Sequence, residues 1–369
     1  MKRKILTVIG ARPQFIKSAT VSRLIALEKN SDINEIIAHT GQHYDDNMSD
    51  LFFRELAIPK PSYNLNVGSG SHAKQTGDIM LGLEKIVEIE SPDLILVYGD
   101  TNTTLAGALV AAKSNCYLAH VEAGLRSYRK GMPEEVNRVV TDSLSDLLFC
   151  PTISAKNNLI SEGKGDNALL VGDVMHDSFL HFSKELDPNK VLQSFGLEAN
   201  NFMLSTIHRA ENTDDINILK NIISSLRVFL SEIKILLPLH PRTKKVIQEN
   251  KISLEGFHII EPISYKTMIS FLIGSKLVVT DSGGLQKEAY FARTPCVTVR
   301  DETEWLETLS NGWNRLAPPS NSDCIISSIR DALNIDVNKT DYVEFYGDGH
   351  ASEKIVAYLR KAHENSLLN

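Results

Sequence analysis

Short apolar runs, many of them β-branched, recur along this chain, and each gives way to a stretch of helical periodicity. In the first half they fall at 5–9, 36–39, 94–98, 117–121, 147–150 and 169–171, and in the second at 202–206, 233–238, 258–260, 277–280 and 296–299. Runs that do not alternate apolar with polar residues are strands covered on both faces, and the intervening helices supply the cover. Such βαβ units constrain the chain to parallel sheets. A length of 369 residues is enough for two domains. The pattern breaks at Lys184-Glu-Leu-Asp-Pro-Asn-Lys190 and Glu198-Ala-Asn-Asn201, before a fresh strand begins. The expected fold is therefore α/β, with two doubly wound, Rossmann-like domains facing a central cleft. The first is expected over 1–175 and the second over 176–349, with a terminal helix in 350–369 packing back on the first.

Bulk properties exclude several function classes. The net charge is 39 − 46 = −7 with no block of like charge, which disfavours nucleic acid as a partner. Cys116, Cys150, Cys296 and Cys324 are far apart in the sequence and lack metal-ligand spacing, so they are read as reduced and structural. No run reaches the roughly 18 apolar residues of a membrane span. The apolar start at 5–9 is too short for a secretory signal, and cytoplasmic is the default placement.

The strands end in polar or reactive residues: Gly10-Ala-Arg12, Thr40-Gly-Gln42-His43, Gly99-Asp100-Thr101, Glu122, His208-Arg209, His240-Pro-Arg242, Asp281-Ser-Gly-Gly284 and Arg300-Asp301. In open α/β sheets ligands bind outside the carboxyl ends of the strands. Arg12 and Lys17 follow the first strand at a helix start, where an anion is favoured, or they are solvated cations on a capped helix. Ser282, Gly283 and Gly284 expose backbone N–H groups that suit a diphosphate, and Glu288 two turns later suits ribose hydroxyls; a plain helix cap is the alternative. The first helix start is neither a GxGxxG turn nor a Walker loop, which disfavours NAD and ATP.

The densest stretch is His120-Val-Glu122-Ala-Gly124-Leu-Arg126, followed by Pro133-Glu134-Glu135-Val-Asn137-Arg138. Its carboxylates either pair with Arg126, Arg129 and Arg138 for stability or move protons. Acids crowded at neighbouring strand ends raise each other's pKa, which suits proton transfer near neutrality. Asp100 either caps the next helix or joins that group. His208 and His240 sit in strand-to-helix loops with other polar residues, which gives both a functional reading beside a structural one.

The segments GARPQFIK, TGQH, VYGDTNTTLAGALVA, HVEAGLRS, PEEVNR, HPRT, LVVTDSGGLQKEA, RDETEW and YGDGHAS run in family order from residue 10 to residue 352. Through them the chain resembles the non-hydrolysing UDP-N-acetylglucosamine 2-epimerases. The resemblance implies a glycosyltransferase-B-like homodimer that takes a UDP-sugar, with no metal and no redox cofactor. It implies departure of UDP from C1 with removal of the C2 proton, giving a 2-acetamidoglycal, then re-addition. It makes Asp100, Glu122 and Glu134 the acid/base carboxylates and sets His208 beside the leaving diphosphate. It places Arg12, Lys17, His240, Ser282, Gly283, Gly284, Glu288 and Arg300 on the substrate or its UDP.

Gln42, His43, Glu135 and Arg209 match parts of an activating second UDP-sugar site in some members. Ala11, Gln14 and Trp305 resemble a branch acting on UDP-2,3-diacetamido-2,3-dideoxyglucuronate for bacterial O-antigen or capsule. A hydrolysing epimerase and a glycosyltransferase of the same architecture are the other readings.

Overall fold

The computed structural model describes residues 2–27, 32–42 and 55–364. The chain divides into two compact units, the first made of residues up to Leu180 together with those from Glu344 onward, the second of His181–Val343. The division falls inside the helix Val174–Glu185.

The first unit holds β1 (Arg3–Ile9), β2 (Ile33–His39), β3 (Tyr63–Asn64), β4 (Leu94–Tyr98), β5 (Tyr117–Val121), β6 (Leu147–Cys150) and β7 (Ala168–Leu170) in a parallel sheet of order β3-β2-β1-β4-β5-β6-β7. The order reverses between β1 and β4, the switch point at which ligands bind in sheets of this kind. Leu6, Val8, Ile95, Val97 and Leu118 form its core with Ile79 and Leu83 of the helix His72–Glu90. Ile5, Ile9, Leu94 and Leu96, which alternate with them along the strands, are buried as well, so both sheet faces are removed from water and the strands read as unbroken apolar runs.

The second unit repeats the plan with β8 (Phe202–Thr206), β9 (Lys234–Pro238), β10 (His258–Ile260), β11 (Leu277–Thr280), β12 (Cys296–Thr298) and β13 (Asn314–Leu316), in the order β10-β9-β8-β11-β12-β13. Its switch point lies between β8 and β11. The strands β3 and β13 are absent from the sequence reading. Each is two or three residues long at a sheet edge, and neither carries an apolar run.

The helix Ala351–Glu364 belongs to the first unit. Asp177 caps its start by accepting from the N–H groups of Ala351 at 3.1 Å and Ser352 at 2.6 Å. Arg3 donates to the carbonyl of Leu359 at 2.9 Å, and the Ser352 hydroxyl meets that of Thr20 at 2.7 Å on the helix Arg12–Leu27.

Candidate active site

Register brings the first set of residues together. Tyr98 pairs with Val121, so Gly99 and Glu122 leave the sheet side by side. Gly99 has φ +65°, and a Cβ there would stand 2.9 Å from the Lys17 Nζ. The positive φ favours glycine here, and a side chain would also press on the ammonium. Glu122 itself adopts φ +74°, a left-handed conformation rarely used by residues other than glycine, which aims its carboxylate at Lys17. Lys17 and Glu122 form a buried ion pair, with side-chain exposures of 9% and 5%.

Asp100 joins through Arg138, whose Nη1 lies 3.2 Å from its carboxylate, and Asn137 donates to the Asp100 carbonyl at 2.8 Å. Burial pushes the Asp100 carboxyl above its ordinary value; Arg138 and Lys17 pull it down, while Glu122 and Glu134 push it further up. Glu134 is half-buried in the first turn of the helix Pro133–Leu144. Two of the carboxylates expected from the sequence, Glu122 and Glu134, therefore bear on the third, Asp100.

The expected ion pairing is found between Glu135 and Arg138, while Glu122 and Arg126 have partners the sequence did not suggest. Glu122 pairs with Lys17, which sits one and a half turns into its helix and reaches across to the next strand end rather than to the helix start. Arg126 pairs instead with Asp142 and with Glu162, both at 2.7 Å. Glu135 accepts from the backbone N–H groups of Ser127 and Tyr128 at 2.9 and 2.8 Å, and from Arg138 at 3.1 Å, so its carboxylate holds the 127–128 turn. Gln42 accepts from the Thr103 N–H at 3.0 Å and its hydroxyl at 2.8 Å, an interaction at the start of the helix Asn102–Lys113. His43 lies outside the described residues. Gln14 donates to the Tyr98 carbonyl at 2.9 Å and to Thr104 at 3.1 Å, and accepts from the N–H groups of Gly10 and Ala11 at 2.9 and 3.1 Å. That bonding uses both faces of an amide. Arg12 is partly exposed in the first turn of its helix.

In the second unit, Thr206 pairs with Thr280, so the His208 loop and Asp281 emerge together at the switch point. Asp281, fully buried, accepts from the N–H groups of His208 and Arg209 at 3.0 and 2.9 Å and from the Asn212 amide at 3.1 Å, and its other oxygen is 3.1 Å from the His208 ring. Burial pushes this carboxyl up, but the His208 hydrogen bond and charge, with the Arg209 and Asn212 donors, hold it below its ordinary value. The His208 side chain keeps 41% of its exposure. The His240 ring stands 6.1 Å from that of His208 and accepts the Arg242 N–H at 3.2 Å. Arg209 faces Glu211 at 3.5 Å.

Ser282 caps the helix Gly283–Phe291 by accepting from the Leu285 N–H at 3.3 Å, which leaves Gly283 and Gly284 in the first turn, half-buried. Glu288 lies on the same helix, 5% exposed. Arg300 is buried against Glu304 at 3.1 Å. Trp305, one of the residues that resemble the diacetamido-uronate branch, is 4% exposed, with the Lys287 ammonium 3.7 Å from its ring centroid. It is a packing residue with a cation over its face.

Asp281 was part of a motif but carried no expected role. Asp281→Asn should destabilise the protein by about 2–3 kcal/mol, because hydrogen bonds to a buried charge are among the stronger ones. A carboxyl held below its ordinary value contributes stability that is full above the unfolded carboxylate pKa. That contribution fades as pH falls through the folded value. The deficit of the variant, measured by urea unfolding, should accordingly shrink on acidification below about pH 4.

Two surface hollows in this unit, 570 Å³ lined by Arg293, Trp313 and Tyr342 and 490 Å³ lined by Leu197, Leu230 and Lys234, sit by the residues that lead into strands, away from the carboxyl edge where the polar groups gather. Among the described residues, no cluster of His, Cys, Asp or Glu is placed to hold a metal ion, and no helix is long and apolar enough to cross a membrane.

Two doubly wound units, each with its reactive side chains gathered at a switch point, define an enzyme of the nucleotide-sugar class. The chain matches the family described as UDP-N-acetylglucosamine 2-epimerase over residues 25–360. It is 47% identical over 364 residues to the UDP-N-acetylglucosamine 2-epimerase homolog of Methanococcus maripaludis, covering 97% of this chain and 99% of that one. It is also 47% identical, over 363 residues with the same coverage, to the UDP-2,3-diacetamido-2,3-dideoxy-D-glucuronate 2-epimerase of Pseudomonas aeruginosa. The crystal structure of the Methanocaldococcus jannaschii UDP-GlcNAc 2-epimerase in complex with UDP-GlcNAc and UDP superposes with a TM-score of 0.89 at 40% identity, over 97% of this chain and 99% of that one. The chain therefore belongs to the UDP-N-acetylglucosamine 2-epimerase family and is an isomerase.

Proposed function

We propose that this enzyme interconverts UDP-GlcNAc and UDP-ManNAc without releasing a free sugar. The observation that carries the reading is the carboxylate group at the first switch point: Asp100, whose carboxyl is pushed up first by burial and then by Glu122 and Glu134, with Arg138 at 3.2 Å and Lys17 paired to Glu122. In the proposed reaction the C2–H electron pair forms the C1=C2 bond as the C1–O bond breaks, and UDP leaves with the C1–O electron pair. One carboxylate takes the C2 proton. A second gives a proton to C2 on the opposite face as a UDP oxygen returns to C1. The developing charge on the leaving diphosphate calls for fixed donors and cations.

Ser282, Gly283, Gly284 and Arg12 are assigned to the phosphates, Glu288 to the ribose, His208 to the departing diphosphate, and His240 and Arg300 to its surroundings. Asp281, by fixing the His208 ring, keeps a nitrogen of that ring available to the ligand.

A second reading has a specific observation behind it. The 47% identity to the Pseudomonas aeruginosa enzyme extends over nearly the whole chain, which favours a UDP-diacetamido uronate as substrate. Incubation in D2O with each UDP-sugar separates the two. Deuterium at C2 of UDP-GlcNAc, with UDP-ManNAc forming and no free sugar, is the expected result. Exchange confined to the diacetamido uronate would transfer the assignment to it, and free N-acetylmannosamine accumulating with UDP would overturn both. A homodimer completes the proposal, with exposed Leu81 and Ile89 on the helix His72–Glu90 as available apolar surface; sedimentation checks it.

A further inference from the structure

His120 is wholly buried on β5, two residues before Glu122, and nothing in the proposed chemistry uses it. Its Nδ1 is 2.7 Å from a carboxylate oxygen of Asp142, and its Nε2 is 2.7 Å from the carbonyl oxygen of Gly99. A carbonyl oxygen and an ionised carboxylate only accept hydrogen bonds, so each ring nitrogen has to supply a hydrogen. Turning the ring over would set carbon atoms against both oxygens. A neutral ring would leave one nitrogen lone pair pressed against an oxygen lone pair in a site closed to water, a buried repulsion that proteins avoid.

The surroundings supply the matching charge. Asp142, on the helix Pro133–Leu144, is fully buried, and its second oxygen accepts from Arg126 at 2.7 Å and from the Gly124 N–H at 3.1 Å. Arg126 in turn makes two bonds of 2.7 Å to Glu162. Burial alone would push the Asp142 carboxyl up, but the hydrogen bonds and charges of His120 and Arg126 hold it below its ordinary value. The groups form an alternating line: Glu162 negative, Arg126 positive, Asp142 negative, His120 positive. Its sum is zero only with the ring protonated. Beyond the ring lie the Lys17–Glu122 pair and Arg138, which is shared by Asp100 and Glu135.

We propose that His120 is a positioning residue whose ring donates from both nitrogens, tying the Gly99 carbonyl to Asp142 and so fixing the backbone leading into both Asp100 and Glu122. The proposal rests on the epimerase reading for the roles of those two carboxylates. The same Asp142 that holds the ring also holds the Gly124 N–H, two residues after Glu122. One buried carboxylate therefore sets both strand ends. Displacing either reacting carboxylate by about 1 Å is enough to lower a rate on the order of 100-fold.

The test has two arms. In wild-type enzyme labelled with 15N-histidine, with His120 assigned by its absence from the His120→Asn spectrum, both ring nitrogens should show the shifts of N–H groups. A single protonated nitrogen at pH 7.5 would overturn the proposal. In the second arm, His120→Asn keeps a donor toward Asp142 and His120→Gln keeps one toward Gly99. Each should lower kcat about 100-fold while leaving KM within about twofold. Wild-type kcat in both variants would overturn the positioning role, as would a rise in KM with kcat preserved. His120→Gln serves equally for the assignment, so the NMR arm does not rest on His120→Asn alone. Deuterium exchange by the wild type, measured beside it, tells failure of this inference from failure of the epimerase reading.

Discussion

Glu122→Gln is expected to lower kcat for epimerisation by about 1,000-fold, within the span that a positioned acid or base contributes. Exchange of the C2 hydrogen with solvent should fall with it. The substitution keeps the shape of the side chain and its left-handed backbone, so the loss would report the chemistry of one oxygen. UDP affinity should be little changed, because the Ser282 helix start and Glu288 belong to the second unit. Stability should drop as well: removing one charge of a buried pair leaves Lys17 without its counter-ion, at a cost of about 3 kcal/mol. Unfolding measured beside turnover separates the two effects. Asp100→Asn should behave alike in turnover. Wild-type exchange in both variants would remove the carboxylates from the mechanism.

The second large effect is on folding. A Cβ at Gly124 would stand 2.2 Å from the Ala155 carbonyl oxygen and 2.8 Å from its carbon, and Gly124 has φ +84°. The obstacle is backbone at the start of the helix Ile153–Ser161, which cannot swing aside as a flexible side chain would. Left-handed strain and overpacking together predict that Gly124→Ala loses about 3–4 kcal/mol. A fall in Tm of about 10 °C should accompany it. Because the Gly124 N–H also reaches Asp142, the folded fraction should turn over slowly too. A variant with wild-type Tm would show that the turn tolerates the shift.

Much of this was legible in the sequence, for a physical reason. Strands buried on both faces have to be apolar along their length, so most appear as runs, and the polar residues that end them mark the carboxyl edge. Asp100, Glu122 and Glu134 were readable because their neighbourhood is local: two strand ends and the next helix. The long-range pairings were not. Lys17 meets Glu122 across 105 residues of chain, and Arg126 meets Glu162 across 36, so spacing offers no hint of either. Trp305 packs on Lys287 out of solvent, a contact that the residues next to it in sequence do not announce. His120 stands in the densest motif of the chain, but its role depends on which oxygens face its two nitrogens.

The chain crosses between its units twice, near Leu180 and again near Val343. The second unit is thus an insertion in the first. During synthesis the unit that begins first is completed last, since the helix Ala351–Glu364 emerges only after the whole of the insertion. The reactive carboxylates on β4 and β5 would wait, while the ribosome finishes, on a sheet that still lacks the cover lying against Arg12–Leu27. Ribosome-bound intermediates released short of residue 351 should therefore hold a protease-resistant second unit beside a first unit that is still open to cleavage.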